Sequence, residues 1–391
     1  MAGAITSAYW LRGDELAEHI LRTEKLATAL IEHLHLHEIL TVAQTLKAFE
    51  IPARAALATR RRAVHLFGGG DGRQHFASGL RLDPAPRGGG EGHWEELPPM
   101  PGGPRVLAAG VAVVMLGRLY ICGGCDREGH HLNSVEVFNP ENALWEAAPP
   151  MLQRRSAACG AAIGRRFYVC GGRDGRSHLN SVECFEADMF REKDSDEDTE
   201  SESEDEDKPP KKPEGRWLAM PPMRERRAYS VAARLGPRLY ACGGFDAAQP
   251  EGRCLKIAEC FDPREGPAAR WEEVENMLEP RAFAAGATAR GRLYLCGGSD
   301  GRGELVSCER FSHERQPWGL WEALPPLRER RKFAAAAAVA GRILVLGGFD
   351  GGRYLSSAEY LDEATWKWLP SRPAMPRPLA WAVAASTEGD P

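Results

Sequence analysis

The sequence predicts an all-β protein, a six-bladed propeller of four-stranded blades with a short N-terminal helical arm. Three observations carry that prediction. A seven-residue phrase recurs along the chain: HLFGGGD at 65–71, YICGGCD at 120–126, YVCGGRD at 168–174, YACGGFD at 240–246, YLCGGSD at 294–300 and LVLGGFD at 344–350. A tryptophan follows each diglycine, at Trp94, Trp145, Trp217, Trp271, Trp321 and Trp366, and most of these open a proline-rich turn such as WEELPPM or WEALPPL. The first glycines of the six pairs lie 55, 48, 72, 54 and 50 residues apart. A β-rich repeat near 50 residues builds a propeller, because one such unit cannot bury its own apolar face and must stack on its neighbours.

Each unit divides into four short strands bounded by Gly, Pro or Asp. The first is made of small residues, as in RSAACGAAIG, RAYSVAARLG, RAFAAGATARG and RKFAAAAAVAG, which suits the crowded axis of a propeller. The second ends in the diglycine, where a close backbone approach excludes a Cβ. The third is SVEVF (134–138), SVECF (181–185), IAECF (257–261), SCERF (307–311) or SAEYL (357–361). Its glutamate (Glu136, Glu183, Glu259, Glu309, Glu359) needs a repeated partner if buried, an arginine or backbone N–H of the same unit. The first unit has Leu80 in that place. The fourth strand holds the tryptophan, which fills the gap between blades.

Cys122-Gly-Gly-Cys125 has the spacing of a zinc site or redox dithiol. The residue ahead of the diglycine is also Cys170, Cys242, Cys296, Phe67 and Leu346, so the slot is apolar, and Cys125 has no counterpart in the other units. The reading is structural, and cysteines spread over strand positions point to free thiols in a reducing compartment, cytoplasmic or nuclear.

The chain has 391 residues, 43% of them hydrophobic, with no apolar run long enough to span a membrane and no signal-peptide pattern at the N-terminus. Its net charge of −5 conceals a contrast. DSDEDTESESEDED, at 194–207, holds ten acids and no base, which leaves the remainder at +5. This run sits between the third and fourth strands of the third unit, and 190–215 is expected to be disordered. Ser195, Thr199, Ser201 and Ser203 each have an acid three residues on, the pattern acidophilic kinases phosphorylate.

Taken together, the diglycine, spaced Tyr and spaced Trp resemble the Kelch repeat. The resemblance covers about 63–386 and implies a six-bladed propeller over 56–391. A ring must join its ends, and MPRPLAWAVAAS (375–386) matches the start of a first strand with no second strand after it. Residues 377–386 are therefore assigned as the inner strand of blade one, in preference to RAALAT at 54–59. Ahead of the propeller, residues 1–55 form the helical arm, with apolar residues near helical spacing over 14–50 and a His33, His35, His37 run that supplies too few ligands on one face for zinc. Many Kelch proteins carry a BTB domain that binds a cullin scaffold, and the 55 residues here depart from that arrangement.

The resemblance also implies where partners bind. Kelch proteins that recognise short acidic peptides contact them with arginines of the inter-blade loops. Here those loops carry Arg105, Arg155, Arg227, Arg281, Arg331 and Arg377, which six-fold placement would gather into a ring at the pocket mouth. Arginine matches a carboxylate or phosphate bidentately. The competing assignment pairs each arginine within its own blade, with the recurrent Asp after the diglycine as a partner. Tyr354, Phe245, Phe349 and His130, in or beside the loops after the diglycine, are candidate anchors. The expected function is non-enzymatic binding of a protein segment, acidic or phosphorylated. The alternatives are a substrate-recognition adaptor of a cullin-type ubiquitin ligase, and a Kelch-type metalloenzyme or specifier protein. Tyrosines and cysteines lie at repeat positions and the histidines do not cluster, so no catalytic residue, metal, cofactor, nucleic acid or membrane is expected.

Overall fold

The computed structural model describes residues 63–83, 92–104, 111–187, 215–247, 252–313, 319–339 and 341–387. The chain separates into two units, 1–63 and 64–391, and the described strands belong to the second. The helical arm, the 54–59 alternative, Arg105 and the acidic run with Ser195, Thr199, Ser201 and Ser203 lie outside the described residues.

The second unit is a six-bladed propeller of four-stranded antiparallel sheets. Blades two to six each run outward in chain order. Blade three, for example, proceeds from Cys159–Ile163 at the axis through Arg166–Cys170 and Val182–Ala187 to Gly215–Met220 at the rim. Blade one is built from both ends of the unit. Its second, third and outer strands are Val64–Phe67, Gly79–Asp83 and His93–Leu97. Its inner strand is Val383–Ser386, in antiparallel register Val64↔Ser386 to Phe67↔Val383. That strand touches the inner strands of blades six and two, which closes the ring and covers the inner edge of Val64–Phe67.

The diglycine has a direct steric cause. The first glycine of each pair has φ of 61–68°, and at Gly171, Gly243, Gly297 and Gly347 a Cβ would stand 2.0–2.3 Å from the main-chain oxygen of the next blade's entry loop. The second glycine's N–H donates to that same oxygen, as in Gly172 to Arg227 O at 2.8 Å and Gly298 to Arg331 O at 2.7 Å. Two glycines are thus the means by which one blade hydrogen-bonds the next.

The tryptophans supply a second seam. Nε1 of Trp94, Trp145, Trp217, Trp271, Trp321 and Trp368 donates at 2.8–3.1 Å to a carbonyl on the exit from the preceding blade, namely Pro373, Pro98, Pro149, Pro221, Glu275 and Pro325. This corrects the sixth assignment. Trp368, buried and opposite Leu361, holds the repeat position, whereas Trp366 is 40% exposed in the turn before it, under the Arg310 guanidinium at 4.9 Å. None of the ten cysteines is in a disulfide. Cys125 is buried against His131, Sγ to Nδ1 3.6 Å, and burial pushes its thiol pKa up, the reverse of a poised nucleophile.

His65 is an acid-sensitive point in the core. It is 2% exposed among Phe67 and Phe138, its Nδ1 has no partner among the described residues, and burial, then the nearby Arg81 charge, lower its pKa from 6.5 to about 4. The unfolded chain therefore takes the proton first. The stability His65 contributes is complete above about pH 6.5 and is lost as pH falls toward 4, about 3 kcal/mol in all at ~1.4 kcal/mol per pH unit. Denaturant titrations from pH 7 to 4 should show His65→Leu flattening the acid loss by about that amount. An unchanged slope would place the acid sensitivity elsewhere.

Candidate functional site

The inter-blade loops share one face of the disc with the loops after each diglycine. Bridges between them, Ser156↔Arg173, Ala228↔Phe245, Ala282↔Ser299 and Lys332↔Phe349, prolong the sheets onto that face. The candidate arginines lie beneath it. Arg155, Arg227, Arg281 and Arg331 are 0–2% exposed. Each pairs with the third-strand glutamate of the blade it enters: Arg155 Nη2 to Glu183 2.8 Å, Arg281 Nε to Glu309 2.5 Å, Arg331 Nη2 to Glu359 2.9 Å, and Arg227 to Glu259. The Nη1 group donates to the diglycine carbonyl of the same blade, Gly171, Gly243, Gly297 or Gly347, at 2.8–2.9 Å. The second carboxylate oxygen accepts a loop N–H from Leu152, Arg224, Leu278 or Arg328 at 2.7–2.8 Å.

The proposed ring of binding arginines is therefore corrected: these four are internal clamps, buried and bonded to a glutamate and a diglycine carbonyl inside the blade. Arg377 is corrected as well. The position of the buried arginine in blade one belongs to Leu379, whose carbonyl accepts from Gly348 at 2.8 Å, and the glutamate position to Leu80. Arg377 lies two residues earlier, bonded to Glu96 and Ser78 at 2.9 Å and stacked 4.1 Å over Phe76.

A different set of arginines faces solvent. Each blade's loop after the Gly-Gly-x-Asp phrase presents one: Arg73, Arg127, Arg176, Arg253, Arg302 and Arg353. The preceding aspartate shapes the loop. Asp71 Oδ1 accepts from Arg73 and Gln74 N at 2.8 and 2.9 Å, and Asp300 and Asp350 do the same for their loops. Those backbone bonds lower the carboxyl pKa of Asp71, Asp300 and Asp350 and engage the acids in the turn. Arg253 meets Glu225 at 3.5 Å, and Arg353 meets Asp350 and Glu329 at 3.1 Å. The side chains of Arg73, Arg127, Arg176 and Arg302 make no hydrogen bond or ion pair among the described residues. The Asp-Gly-Arg of three loops was the available sequence signal.

At the centre of this face lies an aromatic mouth. The residue two after each clamp position is Ala157, Tyr229, Phe283, Phe333 or Trp381, and all five have φ of 55–66°. Each N–H from Tyr229 onward donates to the carbonyl of its equivalent in the preceding blade, at 2.8–3.0 Å, which makes a backbone belt around the axis. Ring centroids stand 4.4 Å apart for Tyr229–Phe283, 4.8 Å for Phe283–Phe333 and 3.4 Å for the stacked Phe333–Trp381. The four rings are half-buried and line a cavity of about 170 Å³ with Ser230 and alanines.

Of the sequence anchors, Phe349 and Tyr354 pack edge to face at 5.1 Å, with Lys332 over Phe349 at 5.5 Å. Phe245 packs on His178 at 5.8 Å. His130 is exposed and bonded to Asp126 at 3.0 Å. With Glu128 these two form the one trio of potential metal ligands among the described residues, and Asp126 Oδ1 is already held by the N–H groups of Glu128 and His130.

Comparison with known proteins places this geometry. A family profile described as Kelch motif matches 108–152, 154–186, 226–278 and 330–373. Mouse Kelch-like protein 35 is 27% identical over 205 residues, 51% of this chain and 29% of that protein. An F-box/kelch-repeat protein of Arabidopsis thaliana is 27% identical over 223 residues, 54% of each chain. The chain thus spans about a third to a half of these relatives' length. The solved structure of YjhT superposes with a TM-score of 0.58 at 14% identity, over 78% of this chain and 97% of that one, a likeness of fold. The chain thus carries Kelch motifs on a six-bladed β-propeller closed by its diglycine and tryptophan seams.

Proposed function

We propose that the propeller is a non-enzymatic protein-binding module whose loop face takes an acidic or phosphorylated segment of its partner. The observation that carries this reading is the exposed arginine in every blade's loop, with four of the six in no side-chain hydrogen bond or ion pair among the described residues. They surround an aromatic centre, and an apolar core inside an arginine-bearing rim is the composition of a protein interface.

The test is titration of the full chain with a fluorescent Asp/Glu-rich peptide at 50 and 150 mM salt. Changing Arg127, Arg176 and Arg302 together to Ala should weaken binding at least tenfold and reduce its salt dependence. Arg234→Ala, at the hairpin on the opposite face, should leave it unchanged. Equal affinity of the triple variant would sink the reading.

A second reading is favoured by the relatives, one of which joins an F-box to Kelch repeats. Under it the propeller is the substrate-recognition end of a ubiquitin-ligase adaptor, and residues 1–55 recruit the ligase. Affinity purification of the full chain and of a chain lacking 1–55 tests this, with a cullin retrieved by the first alone.

A further inference from the structure

The belt residues adopt a backbone conformation that suits glycine. A non-glycine residue at φ near +60° is strained, the more so with a bulky side chain, and persists where surrounding structure imposes it. The belt is what imposes it here. Each of these residues must turn its N–H to the blade behind and its carbonyl to the blade ahead, and Tyr229, Phe283, Phe333 and Trp381 donate within 0.2 Å of one another in length. The belt does not, however, ask for aromatic side chains. Ala157 has the same φ and its carbonyl accepts from Tyr229 at 2.8 Å. Four large rings at positions that alanine serves equally well, none of them fully buried, require another explanation.

Their arrangement supplies one. The rings come from four successive blades and line the axial mouth together with Ser230, Val383 and the small residues Ala157, Ala158, Ala284, Ala334 and Ala382. The space is about 170 Å³, close to the ~150 Å³ apolar cavity known to take one benzene ring. Lys332 lies at its edge, 5.2 Å over the Phe333 ring and 2.7 Å from Glu304. Arg173 is bridged to Ser156, the residue before Ala157, and its side chain makes no hydrogen bond or ion pair among the described residues. The seat is therefore walled by rings and small residues, with cationic side chains nearby.

We infer that the axial mouth seats one aromatic or large aliphatic side chain of the partner, inserted from an acidic segment whose carboxylates meet the surrounding arginines. The inference rests on the acidic-segment reading for the flanks and on the aromatic cluster for the anchor. It turns a charge preference into a sequence preference: acids on both sides of a single bulky apolar residue.

Two peptides decide it, Asp-Glu-Asp-Phe-Asp-Glu-Asp and the same sequence with Ala at the centre, titrated against the full chain. The Phe peptide should bind at least tenfold tighter. In Ala157→Phe, which places a fifth ring at a belt position with the same φ, the two peptides should bind within twofold while the salt dependence persists. Phe283→Ala should also narrow the gap, and circular dichroism and melting of both variants identify either one that fails to fold. Equal binding of the two peptides to the wild-type chain overturns the seat and leaves the acidic reading intact. If neither peptide binds, N-acetylphenylalaninamide examined by saturation-transfer NMR separates the two ideas. Contact that Ala157→Phe abolishes keeps the seat and removes the acidic flank, and absence of contact overturns the seat.

Discussion

Arg331→Ala is expected to destabilise the propeller by about 3–5 kcal/mol, the cost of leaving a carboxylate buried without its counter-charge. Arg331 and Glu359 are 0% and 2% exposed, and the guanidinium also holds Gly347 O at 2.8 Å and Ser357 O at 2.9 Å. The same surroundings accept hydrocarbon if the whole group changes together, as blade one demonstrates. There the arginine is Leu379, the glutamate is Leu80, and the loop residue whose N–H would donate to the carboxylate is Pro376, which has no N–H. The triple variant Arg328→Pro, Arg331→Leu, Glu359→Leu copies that solution into blade six and should cost less than the single truncation. Urea denaturation of both variants checks this. A triple variant as unstable as Arg331→Ala would show that blade one tolerates its leucines for reasons outside these three positions.

Ending the chain at Ala382 should remove cooperative folding. The deletion strips Val64–Phe67 of a four-residue ladder and takes Val383 and Ala385 from the core beside Phe67 and Phe138. Net hydrogen-bond and burial contributions of that size come to about 5 kcal/mol, against 5–15 kcal/mol for a whole domain. Light scattering should show association through the bared edge, and a peptide of residues 375–387 added in trans should restore a monomer with a sharp melting transition. A truncated chain that stays monomeric and melts within ~2 °C of the parent would show that closure contributes little.

Much of this architecture is legible in the residues because its physics repeats. A glycine pair forced by an approaching carbonyl, and a glutamate that needs a partner when buried, leave the same mark in unit after unit. What stayed hidden were choices between neighbours of like chemistry. Arg154 and Arg155 stand side by side and only the second is buried; composition cannot say which one turns inward. Trp366 and Trp368 lie two apart, one in the turn and one in the strand Lys367–Pro370, and the left-handed turn at Trp366 decides between them. Arg377 was drawn to the clamp position because blade one had changed all members of its clamp at once, leaving nothing to align. The exposed loop arginines were masked by loops of unequal length, and the aromatic mouth by residues far apart in sequence that meet only when the ring is closed.

Closure by the last strand also sets a clock. Val64–Phe67 is made roughly 320 residues before its inner partner, about 15–60 s of synthesis at ordinary ribosomal rates. Through that interval blades two to six can assemble in order, each on the one before, while blade one waits with an apolar strand edge uncovered. The nascent chain is therefore most open to mispairing late in its synthesis, and the first blade begun is the last to be finished.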